Sequence, residues 1–331
     1  MQSTGGKSVS ILLFCAVVLA CRVCSADPLA DLRKFSVFEQ VDLSKLAGGK
    51  VMAARGPALE SPRDLSIQAI YVVPAPLAKA VELHRQWNPV RHPELKVYLH
   101  GDLGAKPSAG DFAKLSPAGA DAATKRALDR LPANGPFQLS AAEAQELKAS
   151  GGGRGGDWSG ILLRRAQAFS AKGLGGEPPY EMGKETVRVA DEAARLLREQ
   201  PKLRAQFHAV IDQTALGGGA GSLSPQAYWE LFDVEGQGAL SLGASYSKEA
   251  ADSAQMLDLQ YFASGGYFIY FTLYQLWPVT IDGKPATLVW RGDSIASANL
   301  SELRGVERMG SGAAMMKEVQ KMATAVLKDL R

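Results

Sequence analysis

Apolar residues change their spacing several times along this chain, and each change marks a structural regime. From 29 to 46, Leu29, Leu32, Phe35, Val41 and Leu46 recur at loose helical intervals, and Gly48-Gly49 ends the segment. Over 66–73 the spacing becomes that of a strand. Ile67, Ala69, Tyr71 and Val73 alternate with Gln68, Ile70 and Val72, so both faces are expected to be at least partly buried. Pro74 and Pro76 stop it. A short helix over 77–87 follows, with Ala80, Leu83, His84 and Trp87 on one face, and then a strand over 95–99.

The middle third is helical in pattern. Ser140 and Glu143 have the spacing of a capping box, in which hydroxyl and carboxylate satisfy free backbone amides reciprocally, and this predicts a helix over 141–149. Asp157 caps a second stripe of Trp158, Ile161, Leu162, Arg165, Ala166 and Phe169. Pro201 opens a third, which runs through Leu203, Phe207, Val210, Ile211 and Thr214 to Gly217. Glycine-rich joints at 151–156 and 217–221 bracket these helices and delimit an inserted layer.

The last third reads as strands over 228–234, 239–246 and 256–262, followed by an aromatic run over 267–277. Gly265-Gly266 and Asp282-Gly283 supply the positive φ angles of tight hairpins, the second joining 279–281 to 286–290. A helix over 311–330 closes the chain, with Met315, Val319, Met322, Val326 and Leu330 opposite Lys317, Glu318, Lys321 and Lys328. The prediction is an α+β fold. A curved antiparallel sheet of roughly four to six strands packs on a long C-terminal helix, in a single domain over 27–331 with a mostly helical insertion at about 105–225.

Residues 1–26 have the pattern of a signal peptide: Lys7, an apolar run over 9–20, and Cys24-Ser25-Ala26 before a cut at Asp27. The run is shorter than a bilayer span, and no later segment reaches that length, so no membrane span is expected in the mature chain. Cys15, Cys21 and Cys24 all lie in this leader, which leaves the mature chain without disulfides, thiolate ligands or a cysteine nucleophile. Export to a periplasmic or secreted location is the expectation. Val18-Leu19-Ala20-Cys21 resembles a lipobox, and a cut before Cys21 with lipid anchoring is the alternative. Loss of Lys7 and Arg22 with the leader lowers the formal charge from +3 to +1, which argues against nucleic acid as the partner. With 46% hydrophobic and 21% charged residues, the composition excludes wholesale disorder and collagen-like repeats.

Candidate chemistry is sparse. His84, His92 and His100 recur every eight residues, a spacing that neither helix nor strand brings together, and His208 stands apart; no metal site and no cofactor are expected. Gly151, Gly153 and Gly156 satisfy a dinucleotide pattern formally but follow a helix, not a strand, and read as a loop. Gly310-Ser311-Gly312 fits a helix cap and lacks the spacing of a nucleophile elbow. The carboxylates Asp252, Asp258, Asp282 and Asp293 are scattered through strands of unknown register. Arg291-Gly292-Asp293 reads as a turn at a strand end. Around it lie Tyr270, Tyr274, Trp277 and Trp290; the two tryptophans are expected either to wall a pocket in which Arg291 binds an acidic headgroup or to form an aromatic core.

Two parts of the chain resemble the START-like helix-grip superfamily. Leu46-Ala47-Gly48-Gly49-Lys50 and the segment 67–81, with Pro74-Ala75-Pro76, are similar to its strand, proline-bearing turn and first helix. The segment 270–279, the Asp282-Gly283 hairpin, 287–290 and the terminal helix are similar to its closing strands and gripping helix. The resemblance omits the helical middle. It implies a cavity between sheet and helix and the binding or transfer of lipids, sterols or other apolar molecules, with cyclase or hydrolase chemistry in some members. The leading expectation is an exported, non-enzymatic protein that binds an apolar or lipid-like small molecule. Its site is drawn from Tyr270, Tyr274, Trp277, Trp290, Arg291, Met315, Val319 and Met322, and its wall from Tyr267, Ile269, Phe271 and Leu273 or their opposite-parity neighbours. The alternatives are a hydrolase or cyclase using residues near Arg291, with His84 or His208, and a structural protein with an envelope protein partner.

Overall fold

The computed structural model describes residues 27–131, 138–152, 157–219, 221–234 and 236–330. The segment 1–26 expected to be a signal peptide, its three cysteines and the lipid-anchoring alternative at Cys21 lie outside the described residues, as does the glycine tract 153–156.

The strands are β1 (Met52–Arg55), β2 (Asp64–Val73), β3 (Val97–Leu103), β4 (Tyr180–Met182), β5 (Glu185–Val187), β6 (Gln226–Val234), β7 (Gln237–Glu249), β8 (Ala254–Ala263), β9 (Ile269–Ile281) and β10 (Lys284–Ala296). All but β4 and β5 form one eight-stranded sheet in the order β1-β2-β10-β9-β8-β7-β6-β3, antiparallel throughout and open at both edges. The sheet is larger than predicted because β1, β2 and β3, from the front of the chain, flank the C-terminal meander. The Asp282-Gly283 turn joins Ile281 to Lys284, with φ of 50° and 72° at its two residues, the left-handed pair that a two-residue hairpin demands.

Successive side chains of a strand point to opposite faces, and here each face has its own cover. On one face Ile70, Val72, Leu257, Leu259, Phe271, Leu273, Leu288 and Trp290 pack into a single hydrophobic cluster with the N-terminal residues Leu32 and Phe35. Ile161, Leu162, Phe169, Leu196 and Phe207 of the segment between β3 and β6 join that cluster, so the insertion is built onto the sheet. Its helices include Ala141–Ala149, with the predicted Ser140–Glu143 capping box, and Trp158–Lys172, capped by Asp157. The expected stripe after Pro201 is broken: the helix Pro201–Gln206 stops at Phe207 before a short turn, His208–Ile211.

The other face carries Leu65, Ile67, Ala69, Tyr71 and Val73 of β2 and meets the helices Leu77–Arg85 and Gly305–Lys328. The C-terminal helix starts earlier than predicted, so Gly310-Ser311-Gly312 lies within it and is not a cap. Arg55 donates to the carbonyls of Arg308 and Met309 at 2.9 and 2.8 Å, and Arg308 donates to the Asp64 carbonyl at 2.8 Å. These bonds fix a glycine-rich first half whose own helix propensity is low. The front segment expected over 29–46 is likewise two helices, Pro28–Phe35 and Leu43–Ala47, separated by extended chain. Among the described residues no helix is long and apolar enough to cross a membrane.

Candidate functional site

Between the sheet and the C-terminal helix lies a cavity of about 860 Å3. Met315, Val319, Met322 and Val326, spaced three or four apart on the helix, form its apolar wall. The opposite wall is sheet, from β6 through β8 and β9 to β10, and beside Met256 and Ile295 it carries a polar and aromatic set: Tyr228, Glu230, Asp258, Gln260, Tyr270, Thr272, Tyr274 and Arg291. Register explains the set. Asp258 pairs with Thr272 and Thr272 with Asp293, while Tyr274 pairs with Arg291, so alternate positions of neighbouring strands share one face. No described residue between 104 and 224 lines the cavity. The insertion covers the far side of the sheet and leaves this one open.

The polar groups of the floor are joined in three clusters. Arg291 Nε and Nη2 donate to both carboxylate oxygens of Asp293 at 2.8 and 2.7 Å; Tyr270 and Thr272 hydroxyls also donate to Asp293. The guanidinium lies 5.5 Å from the Tyr274 ring centre. The Arg291 pKa is raised: burial opposes its charge, and the adjoining Asp293 outweighs it.

In the second cluster Tyr228 donates to Asp258 Oδ1 at 2.8 Å. His100, stacked on Tyr228 with ring centres 5.3 Å apart, holds Nδ1 3.0 Å from Glu230 Oε1. Burial pushes the Asp258 carboxyl up to about 6, with Glu230 adding to the rise and the Tyr228 hydroxyl opposing it. His100 moves up as well, because Glu230 and Asp102 outweigh the effect of burial.

The third cluster is His84. Its Nδ1 lies 2.7 Å from the Ala80 carbonyl and therefore donates to it, so Nε2 accepts from the Tyr71 hydroxyl, also at 2.7 Å. Burial pulls its pKa down to about 4. Tyr228, Tyr267, Tyr270 and Tyr274 all have pKa values raised, chiefly by burial, so their hydroxyls stay protonated, and those of Tyr228, Tyr267 and Tyr270 donate to Asp258, Gln260 and Asp293.

Of the residues singled out in the sequence, Tyr270, Tyr274, Arg291, Met315, Val319 and Met322 line the cavity together. Trp277 and Trp290 do not. Trp290 precedes Arg291 in β10 and so faces the other side, where its ring centre lies 4.9 Å from Phe35 and 5.4 Å from Phe207; Trp277 lies 6.3 Å from Phe35. The tryptophans belong to the core, and a pocket walled jointly by them and Arg291 is excluded by strand parity. Arg291-Gly292-Asp293 is strand interior, not a turn: β10 continues to Ala296, and both charged residues are buried. Arg291 is neutralised by Asp293, which removes the ground for an acidic headgroup there. Of the two sets expected for the wall, Tyr267 lines the cavity, and the rest comes from Tyr270, Thr272 and Tyr274, the opposite-parity neighbours of Ile269, Phe271 and Leu273.

His84, which the hydrolase alternative set with the residues near Arg291, lines the cavity. Sequence reasoning did not assemble His100, Tyr228, Glu230 and Asp258 into the site: they come from three separated strands and meet only through the sheet order, in which β3 pairs with β6. The available signal was within β9, where Tyr270, Thr272 and Tyr274 alternate with Ile269, Phe271 and Leu273: the hydroxyl-bearing parity faces the cavity. Among the described residues no group of His, Cys, Asp and Glu is arranged to hold a metal ion. His92 sits instead beside Asp329, 3.1 Å away, and His208 near the Ala205 carbonyl. No protein-family model matches the sequence, and a search of curated proteins returns no significant match.

Proposed function

We propose that this chain is a START-like helix-grip protein that binds an amphipathic, largely apolar small molecule between its sheet and its C-terminal helix. The observation that carries the reading is the cavity of about 860 Å3, with a wall of methionine and valine facing a floor of tyrosine hydroxyls and buried charges. A space of that size suits a molecule of lipid or sterol dimensions. Methionine side chains are unbranched and repack easily, so Met315 and Met322 give an adaptable surface to the apolar part. The strand order supports the kinship: β2 and β3 are split to the two flanks of a five-strand meander that ends in the gripping helix.

The same reading takes the pattern at 1–26 as a leader and places the working protein outside the cytoplasm. Mass spectrometry on protein purified from its native compartment tests both parts. A chain that begins at Asp27 and loses an apolar mass on denaturation is the expected result. Met322→Trp, which fills the cavity from the helix side, abolishes uptake of that molecule and leaves the chain folded. Loss of folding in Met322→Trp, together with a parent chain that carries no small molecule and takes none up from a lipid extract, would overturn the proposal.

A further inference from the structure

The charges of the cavity are unevenly matched, and this bears on the headgroup of the ligand, if the cavity is the binding site proposed above. Arg85 and Arg91 are exposed residues of the rim. The buried cation, Arg291, has two of its nitrogens on the two oxygens of Asp293. Glu230 is met by His100 at 3.0 Å. Asp258 has a Tyr228 hydroxyl at 2.8 Å and, among the described residues, no cation within ion-pairing distance.

A carboxylate in a half-buried floor without a cation is costly, and a cationic ligand relieves that cost while an anionic one adds to it. The surrounding surface also suits a cation. Tyr270 lines the same floor, and an aromatic ring face attracts an ammonium through its quadrupole. An anionic headgroup would find its natural partner, Arg291, already committed.

We propose that the ligand carries an ammonium group, seated at the Asp258 carboxylate beside the ring of Tyr270, with its apolar remainder along Met315, Val319 and Met322. The group is a primary to quaternary amine on an apolar body. It enters as the missing counter-ion of the floor.

Three probes with one chain and three heads test this by calorimetry near neutral pH, below their self-association: decyltrimethylammonium, decanoate and decanol. The ammonium probe is expected to bind about tenfold or more tighter than decanoate, the advantage of one partly screened opposite charge over a like charge. Asp258→Asn, which keeps the shape and can still accept from Tyr228, is expected to narrow the ratio of ammonium to alcohol affinity about tenfold. Glu230→Gln, a second variant at a carboxylate already paired, narrows it less, and circular dichroism establishes that each variant is folded. If decanoate or decanol binds as tightly as the ammonium, or if neither folded variant narrows the ratio, the charge assignment is overturned and the cavity reading stands. If none of the three binds, the cavity reading itself fails.

Discussion

Tyr228 of β6 donates its hydroxyl to Asp258 of β8 by reaching across the strand between them, and it can do so because residue 243 of β7 is glycine. Gly243 is the cross-strand partner of Tyr228, and a Cβ at 243 would fall on the phenol ring. The same device recurs at the sheet edge, where the Trp229 indole lies over its partner Gly101 and donates to the Asp111 carbonyl at 2.9 Å. Gly243→Ala therefore displaces the Tyr228 ring and strips Asp258 of its donor. We expect a loss of about 1–3 kcal/mol in chemical denaturation. A variant as stable as the parent would show that the ring does not depend on the notch.

Much of the sheet was legible from residues 226–296, because the Asp282-Gly283 turn and period-two alternation specify hairpins locally; Gly265-Gly266 is not the tight turn expected, since the connection runs over 264–268 and only Gly266 takes a positive φ, 93°. The extent of β10 was not. Arg291-Gly292-Asp293 reads as a turn at a strand end, whereas Arg291 and Asp293, two apart on a strand, neutralise each other on one face and let β10 continue. The faces of β9 were ambiguous for a related reason: both are aromatic, and only the contrast of hydroxyl-bearing with plain hydrocarbon rings distinguishes cavity from core. Of the two readings of Trp290, pocket wall and aromatic core, the second holds, and the pattern alone could not choose because the insertion that packs on it lies far away in sequence. The helical insertion was legible from its caps. Its side of the sheet was not, since an amphipathic stripe names no partner.

The imidazole of His84 gives a pH signature. Its pKa is pulled from 6.5 to about 4 by burial, so the unfolded chain gains a proton that the folded chain refuses. Its contribution to stability is complete above pH 6.5 and is lost as the pH falls through 4. Asp258 acts in the opposite sense. With its pKa raised from 3.8 to about 6, its contribution is present at low pH and lost as the pH rises through 6. Long-range proton–nitrogen NMR should find His84 as the neutral Nδ1–H tautomer down to about pH 4, and His84→Phe should flatten the acid limb of the stability profile. An imidazolium signal at pH 6 would contradict the assignment.

Within the insertion, Arg165 is fully buried between two glutamates. It donates to Glu143 at 2.8 and 2.6 Å and to Glu177 at 3.1 Å, with its guanidinium 4.6 Å from the Phe262 ring centre. Burial pushes the Glu177 carboxyl up to about 8 even beside this cation. Arg165→Met leaves the Glu177 carboxyl in the core without a partner among the described residues and takes from Glu143 its cation, with only Ser140 still donating to it. The expected cost is about 3–5 kcal/mol near neutral pH. Glu177 then ionises with no cation beside it, so the gap to the parent should widen as the pH rises through 8. A pH-independent gap would mean that Arg165 acts through packing alone.

Trp290 and Arg291 are adjacent in sequence, and the sheet separates their consequences. Trp290 donates to Gln68 Oε1 at 3.2 Å, and the same oxygen accepts from the Val37 amide at 2.9 Å, tying the N-terminal segment to the sheet on the face away from the cavity. Trp290→Phe removes that donor and part of the contact with Phe35 and Phe207, at a cost of about 1–3 kcal/mol. Its effect on decyltrimethylammonium affinity should be nil, because the substitution alters nothing on the Arg291 side. Paired denaturation and calorimetry on the one variant check this. A fall in affinity with stability unchanged would put the indole in the binding site after all, whereas lost stability with affinity retained is what strand parity requires.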